Sequence, residues 1–306
     1  MNPKDYEVHD RRFRTLIQPN AFLEKLDGGS MWAEGPVYFP AGDFLVWSDI
    51  PRSRMMRWTP GMSAGASVSV FRANSNFSNG NTRDRQGRMV SCEHGTRRVT
   101  RTGHDGSIAV VASHYQGKAL NSPNDVIVHS AGSIWFSDPD YGILSDYEGY
   151  RADSEIGACN VYRVSPDTGE VRLAAGDFVK PNGLAFSPDE RKLYIADSGA
   201  SHFEDGPHHI RVFDVGTDGR LSNDRVFVDI KPGIPDGLRL DEFGNVWTSA
   251  EDGVHCYSPE AELLGKILIS EPVANLTFGG LHRNRLFIAA STSLYSLYVG
   301  VRGAAT

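Results

Sequence analysis

Three cysteines in 306 residues, Cys92, Cys159 and Cys256, are too few and too scattered for a disulfide framework or a cysteine zinc site. Basic side chains are also in short supply. Lys and Arg number 31 against 38 Asp and Glu, a formal net charge of −7, which argues against broad nucleic-acid binding. The arginines that do gather (Arg83, Arg85, Arg88, then Arg97, Arg98, Arg101) are interrupted by acidic or apolar residues and read as a solvated face. No apolar run approaches the ~18 residues of a membrane-spanning helix, so no membrane partner is expected. The opening residues, MNPKDYEVHDRRFRTLI, are charged and show no signal peptide, which sets the expectation of a cytoplasmic protein. Walker A and dinucleotide fingerprints are missing, so no nucleotide cofactor is expected. Helical 3.6-residue periodicity is missing as well, which excludes helix bundles and helical repeats.

What the chain has instead is glycine, 32 residues, together with 15 Phe, 11 Tyr and 5 Trp. Glycine and aromatics in this abundance suit many short strands joined by tight turns. Six segments repeat one pattern, a turn, an apolar stretch, a second turn and an aromatic-rich strand: WAEGPVYFPAGDFLVWSD (32–49), SNGNTRDRQGRMVSCE (78–93), PNDVIVHSAGSIWFSD (123–138), PNGLAFSPDERKLYIAD (181–197), PDGLRLDEFGNVWTSAE (235–251) and the degraded ANLTFGGLHRNRLFIAAS (274–291). Alignment puts Glu34, Asn79, Asn124, Asn182, Asp236 and Asn275 in one column, and Gly42, Gly87, Gly132, Glu190, Gly244 and Arg283 in another eight residues on. Further strand candidates follow each block, as in RMMRWTP, NVYRVSP, IRVFDV and GVHCYSP. A repeat of roughly 40–50 residues with four strands is the signature of a propeller blade. The expected fold is all-β: one six-bladed β-propeller over residues 29–306 with about four antiparallel strands per blade, preceded by an N-terminal extension, 1–28. Within that extension PNAFLEKL reads equally as a short helix or as a strand closing the ring.

The first strand of each propeller blade lines the central channel, so one repeat column converges on the axis. Here the column holds only Glu, Asn and Asp. Oxygen ligands without Lys or Arg suit a hard divalent cation: Ca2+ first, with Mg2+, Mn2+ and Zn2+ also able to accept such ligands. The competing reading is local turn chemistry, since Asn-Gly and Asp-Gly are favoured turn pairs; it is weakest for Glu34, a poor turn residue. His94 in the CEHG motif is a candidate for substrate contact or proton transfer, set against an outward structural role. His202, His208 and His209 match no zinc spacing and read as a loop near the site mouth. The string Gly61-Met62-Ser63-Ala64-Gly65 matches G-x-S-x-G but follows Pro60 and precedes a β-prone stretch, so it reads as a surface turn. Asp138-Pro139-Asp140-Tyr141-Gly142 lacks the later ligands of an EF-hand.

The motifs WAEGPVYF (32–39), CEHGTRRV (92–99), LNSPNDVIV (120–128), PNGLAFSPD (181–189) and IPDGLRLDEFGNVW (234–247) resemble the gluconolactonase/regucalcin (SMP-30/gluconolactonase/LRE-like) family, its bacterial gluconolactonase branch most closely. Diisopropyl fluorophosphatase is a more distant likeness. The resemblance covers nearly the whole chain from Trp32 onward. It implies a six-bladed propeller and a calcium-dependent lactonase that opens a sugar lactone such as D-glucono-1,5-lactone. Carried over residue by residue, it implies metal ligation by Glu34, Asn182 and Asp236, with Asn124 as a further ligand or a substrate contact beside Asp125. It also gives Asp236 the part of catalytic base. Where animal members carry an Arg two residues before that asparagine, this chain has Ser122, and Lys118 is the expected replacement for substrate binding. Two alternatives stay open: a phosphotriesterase or another lactone hydrolase on the same site, and a non-catalytic calcium-binding scaffold. Oligomeric state is not legible.

Overall fold

The computed structural model describes residues 5–61 and 67–305. Six antiparallel sheets of four strands stand in a ring. Blade one is built from Ala33–Phe39, Phe44–Asp49, Arg54–Trp58 and Val68–Ala73, and blade two from Ser78–Arg83, Met89–Glu93, Arg98–Thr102 and Ile108–Ala112. Blade three holds Val126–Val128, Ile134–Asp138, Cys159–Val164 and Val171–Phe178, and blade four Pro181–Phe186, Lys192–Asp197, His209–Val215 and Leu221–Asp229. Blade five holds Leu238–Leu240, Val246–Ala250, Gly253–Tyr257 and Leu263–Leu268. Blade six takes Val273–Gly279, Arg285–Ala290 and Ser293–Tyr298 from the end of the chain and its outer strand, Glu24–Gly28, from the beginning. The first-named strand of each blade is the inner one, and each touches the inner strands of both neighbours, so the ring closes.

The two readings of PNAFLEKL resolve to the strand. Glu24 pairs with Ser296 and Gly28 with Ser293, so the ring is clasped by its own N-terminal segment. Tyr6–Val8 adds a fifth strand to blade five by pairing with Gly265–Ile267. Within the first 28 residues, Phe13, Leu16 and Ile17 are buried in the core beneath blades five and six.

The strand pattern follows from alternation. In Phe44–Asp49 the residue Leu45 faces Trp58 across the sheet while Trp47 faces Met56, and both lie in the seam between blades. Trp135 and Trp247 occupy the same place in the second strands of blades three and five, Trp47 lies one position further along in blade one, and all three are essentially without solvent exposure. Burying a side chain of this size stabilises the fold by on the order of 4–6 kcal/mol. The second repeat column lies at the turn between the first two strands. Gly87, Gly132 and Gly244 have positive φ there, and Glu190 and Arg283 adopt φ of 56° in the same turn, the left-handed conformation their blades require without a glycine. The G-x-S-x-G string extends over residues 62–65, outside the described residues.

Candidate functional site

Each anchor of the first repeat column sits where its inner strand departs from regular pairing. Register with the second strand shifts between Glu34 and Val37, between Ser78 and Asn81, between Pro181 and Leu184, and between Val273 and Asn275. In blades three and five the inner strand becomes regular only at Val126 and Leu238, two residues past Asn124 and Asp236. Irregular pairing of this kind re-aims a side chain out of the pleat. The glycine that follows an anchor permits the packing between blades. A Cβ on Gly80 would lie 2.5 Å from the carbonyl oxygen of Asn124, and one on Gly183 only 2.3 Å from that of Asp236. Across those seams Gly80 N–H donates to Asn124 O at 2.7 Å and Gly183 N–H to Asp236 O at 3.0 Å. The anchors of successive blades are thereby stitched backbone to backbone.

A second set of carboxylates holds the approach to the anchors. Asp49 Oδ1 accepts from Met31 N–H at 2.8 Å, Asp138 Oδ2 from Asn121 N–H at 2.9 Å, and Asp197 from Lys180 N–H at 2.8 Å and Val179 N–H at 3.0 Å. The clamped segments lead directly into Glu34, Asn124 and Asn182. Sequence reasoning left this set unused although its signal was present: the quoted repeats end in Asp49, Asp138 and Asp197.

Glu34, Asp125 and Asp236 form a mutually repelling group within the ring. Burial raises the proton affinity of Glu34, and the Asp125 carboxylate adds to the effect. Asn275 Nδ2 opposes it by donating to Glu34 Oε2 at 3.0 Å, as does the backbone N–H of Gly35. Asp236 is hemmed in by protein, yet part of its surface stays accessible. Its proton affinity is raised by burial first, then by Glu34, Asp125 and Glu148, while Asn182 hydrogen bonds to it and lowers it. Among the described residues one cation enters this group: Arg239 Nη1 lies 3.4 Å from Asp125 Oδ2, joining blade five to blade three.

The same repeat column leaves side-chain oxygens without donors. Asn124 is 5% exposed, and its side-chain amide has no hydrogen bond among the described residues. Asn79 Oδ1 is buried without a partner. Asn182 uses Nδ2 on Ser198 Oγ at 3.2 Å, which leaves its Oδ1 open. Among the described residues no three His, Cys, Asp or Glu gather as a metal cluster. A site here would instead combine carboxylate and amide oxygens, a donor set that fits a hard divalent cation. Uncompensated buried negative charge and unpartnered amide oxygens are what such an ion would satisfy.

Other expected residues take varied places. His94 is fully buried and, with its proton on Nδ1, donates to Glu148 O at 3.1 Å. Its Nε2 then accepts from Asn79 Nδ2 at 3.3 Å, which fixes the amide with Oδ1 unpaired. Burial holds the His94 pKa down to about 4, so the ring is neutral and positions Asn79. Ser122 is buried and ties the neighbouring loop through Pro139 O at 2.7 Å and Gly142 N–H at 2.9 Å. Lys118 stands exposed on a two-stranded hairpin, His114–Tyr115 with Lys118–Ala119, and makes no ion pair among the described residues. His202 packs on Tyr141, their ring centroids 5.4 Å apart. His208 turns to Ile230 O, and His209 lies 3.9 Å from Asp229. The three histidines therefore do not converge. Tyr141 and Glu148, which lie beyond the repeat, both interact electrostatically with Asp236. Burial raises the pKa of each. Lys180, itself buried, pairs with Asp140 and lies 5.3 Å over the Tyr141 ring.

The family model described as SMP-30/Gluconolactonase/LRE-like region matches residues 32–292. A gluconolactonase from Zymomonas mobilis is 31% identical over 307 aligned residues, spanning 92% of this chain and 82% of that one. A pentonolactonase from Haloferax volcanii is 26% identical, covering 87% of this chain and 84% of the relative. Among solved structures, a gluconolactonase from Xanthomonas campestris superposes with a TM-score of 0.88 at 36% identity, covering 96% of this chain and 94% of that one.

Proposed function

The chain belongs to the SMP-30/gluconolactonase/LRE-like family, and from that premise we propose that it hydrolyses a sugar lactone, D-glucono-1,5-lactone or a close aldonolactone, to the aldonic acid. What supports the reading is that Glu34 and Asp236, two carboxylates of raised proton affinity, act on one another, while Asn124 and Asn182 of the same repeat column leave their amide oxygens unpartnered. Glu34, Asn182, Asp236 and Asn124 would hold one divalent ion, Ca2+ by the count and hardness of the oxygens. Bound there, the ion would supply Lewis acidity toward the lactone carbonyl oxygen.

The chain's own groups do the rest. Asp236 takes a proton from the water that adds to the carbonyl carbon, and the ester C–O bond of the ring then breaks. The proton is delivered to the departing ring oxygen, so lactone and water become one hydroxy acid. The raised proton affinity of Asp236, from burial and from Glu34, Asp125 and Glu148, suits it to that transfer. Asn124 can donate its amide N–H to a sugar hydroxyl, and Asp125 backs it from the adjacent position while held by Arg239. His94 acts indirectly, by fixing Asn79. A pentonolactone would fit the same chemistry, and the Haloferax relative's name gives that substrate independent weight.

Proton release on adding D-glucono-1,5-lactone, followed by pH-stat with added Ca2+ and with chelator, tests the reading. Catalysed release that chelator abolishes and Ca2+ restores is the expected result. Release no faster than the spontaneous reaction, for gluconolactone and pentonolactone alike and at every metal loading, would overturn it and leave the non-catalytic scaffold.

A further inference from the structure

The inner strands carry their anchors near their first residues, and their later residues enclose a different space. Val37, Tyr38, Asn81, Arg83, Val128, Phe186, Arg239, Leu240 and Phe278 contribute to a cavity of about 80 Å3 at that end of the channel. Ala304 and Ala305 border it, held by the hydrogen bond from Ala304 N–H to Leu240 O at 2.9 Å. Arg83 and Tyr38 lie four residues past the anchors Asn79 and Glu34 of their own blades, which puts them beyond the Glu34–Asp236 group, and Arg239 bridges the two through Asp125.

Arg83 is the unusual member. Its guanidinium has no hydrogen bond and no ion pair among the described residues. It is partly withdrawn from water, and neighbouring Arg85 opposes its charge further. Burying a charge without a partner is costly, and a solvated-face arginine would not be held this way. Arg239, on the same cavity, spends Nη1 on Asp125 Oδ2 and on Leu238 O at 2.7 Å, leaving Nε and Nη2 without partners. Among the described residues the wall offers one carboxylate, and it is already engaged: Glu190 takes Ser130 N–H at 2.7 Å, the Ser130 hydroxyl and Arg85 at 3.5 Å, with His129 at 3.4 Å. Glu190 therefore does not neutralise Arg83.

We propose that this cavity is a binding site for a short-chain monocarboxylate, whose carboxylate pairs with Arg83 and Arg239 and whose alkyl part lies against Val37, Val128, Phe186 and Leu240. Guanidinium groups bind carboxylates by paired N–H donors. The small volume disfavours a sugar acid, and the negative Glu190 disfavours a dianion. The proposal does not rest on the lactonase reading, although the two sites share Arg239.

Titration calorimetry of the full chain with sodium propionate tests it, with 1-propanol, sodium chloride at equal ionic strength and inorganic phosphate as comparisons. Saturable one-to-one binding of propionate is expected, with none by propanol. Arg83→Gln should weaken it by about tenfold or more, the loss expected for a charge-assisted contact. Arg83→Lys should retain part of it. Arg83→Gln should also melt no lower than the parent chain without propionate, because a partly buried charge without a partner has been removed, and its lactone turnover should match the parent's. Absence of propionate binding, equal affinity in Arg83→Gln, or an equal response to chloride would each overturn the site. Phosphate binding as tightly as propionate would overturn the ligand class.

Discussion

Asn275 in the last inner strand donates from Nδ2 to Oε2 of Glu34 in the first, at 3.0 Å and 241 residues away in sequence. The bond crosses the seam at which the ring closes and orients the carboxylate at the heart of the proposed site. Asn275→Leu removes the donor and keeps the bulk. Loss of a buried bond to a charged acceptor should cost about 1–3 kcal/mol, read as a lowered denaturant midpoint with unchanged slope. Lactone turnover should fall with it; an unchanged midpoint and rate would detach Asn275 from the site.

Asp236→Asn separates base from ligand. Turnover should drop by roughly 10²–10⁴, the usual contribution of a positioned proton acceptor. Calcium binding, measured in parallel, should weaken but survive through Glu34 and the amide oxygens. Near-normal turnover with calcium still bound would return the proton-accepting part to water alone.

Removing metal should make stability depend on pH in a definite direction. The folded-state pKa values of Glu34 and Asp236 lie above their ordinary values, so the folded chain holds more protons than the unfolded one. Their contribution to stability is therefore greatest below the ordinary carboxylate pKa and is lost as pH rises toward the folded values. Chelated protein should lose Tm from these groups as pH rises above about 5. Added Ca2+ should restore most at the alkaline end, where the ligands are ionised. A Ca2+ increment in Tm that is flat or shrinks with pH would contradict the ligand set.

His94 works in the opposite sense. Burial depresses its pKa from an ordinary 6.5 to about 4, so its stabilising contribution is present above 6.5 and is lost as pH falls toward 4. His94→Gln should flatten the acid side of the stability profile relative to the parent. Persistence of the full acid-side slope would place the responsible protons elsewhere.

Gly183→Ala probes the stitching between blades four and five. Its Cβ would meet Asp236 O at 2.3 Å, which the backbone must yield to accommodate. Overpacking of this kind should cost roughly 1–3 kcal/mol and shift Asp236 enough to depress turnover. Thermal melts and steady-state rates check it; a tolerated alanine would show that the seam is looser than its hydrogen bond implies.

The anchors and blade boundaries were legible in the sequence because a repeat places chemically similar residues at equivalent strand positions. The repeat marked Glu34, Asn79, Asn124, Asn182, Asp236 and Asn275 as one column, and the family resemblance narrowed the expected ligands to Glu34, Asn124, Asn182 and Asp236. Glu148, Tyr141 and Arg239 did not stand out, for different reasons. Tyr141, which opens the short helix Tyr141–Leu144, and Glu148 lie in the connection after Asp138, which is longer than its counterparts in the other blades. Arg239 sits inside a strand where alternation alone does not reveal a cross-channel partner 114 residues away. The arginine run at 83–88 read as solvated surface because spacing along the chain carries no information about which side chain turns inward. Asp49, Asp138 and Asp197 were visible as a column, yet their purpose depends on backbone N–H groups 17–18 residues earlier.

The clasp between Glu24–Gly28 and Ser293–Tyr298 gives the molecule a timetable. On a ribosome the outer strand of blade six is made first and its three partners last. Blades one to four can form as their strands emerge, but the hoop stays open until nearly the whole chain is out. Glu34 and Asn275 face each other across the same opening. A nascent or truncated chain can thus be mostly folded and still possess only half a site, and completion of the ring and completion of the site are a single event.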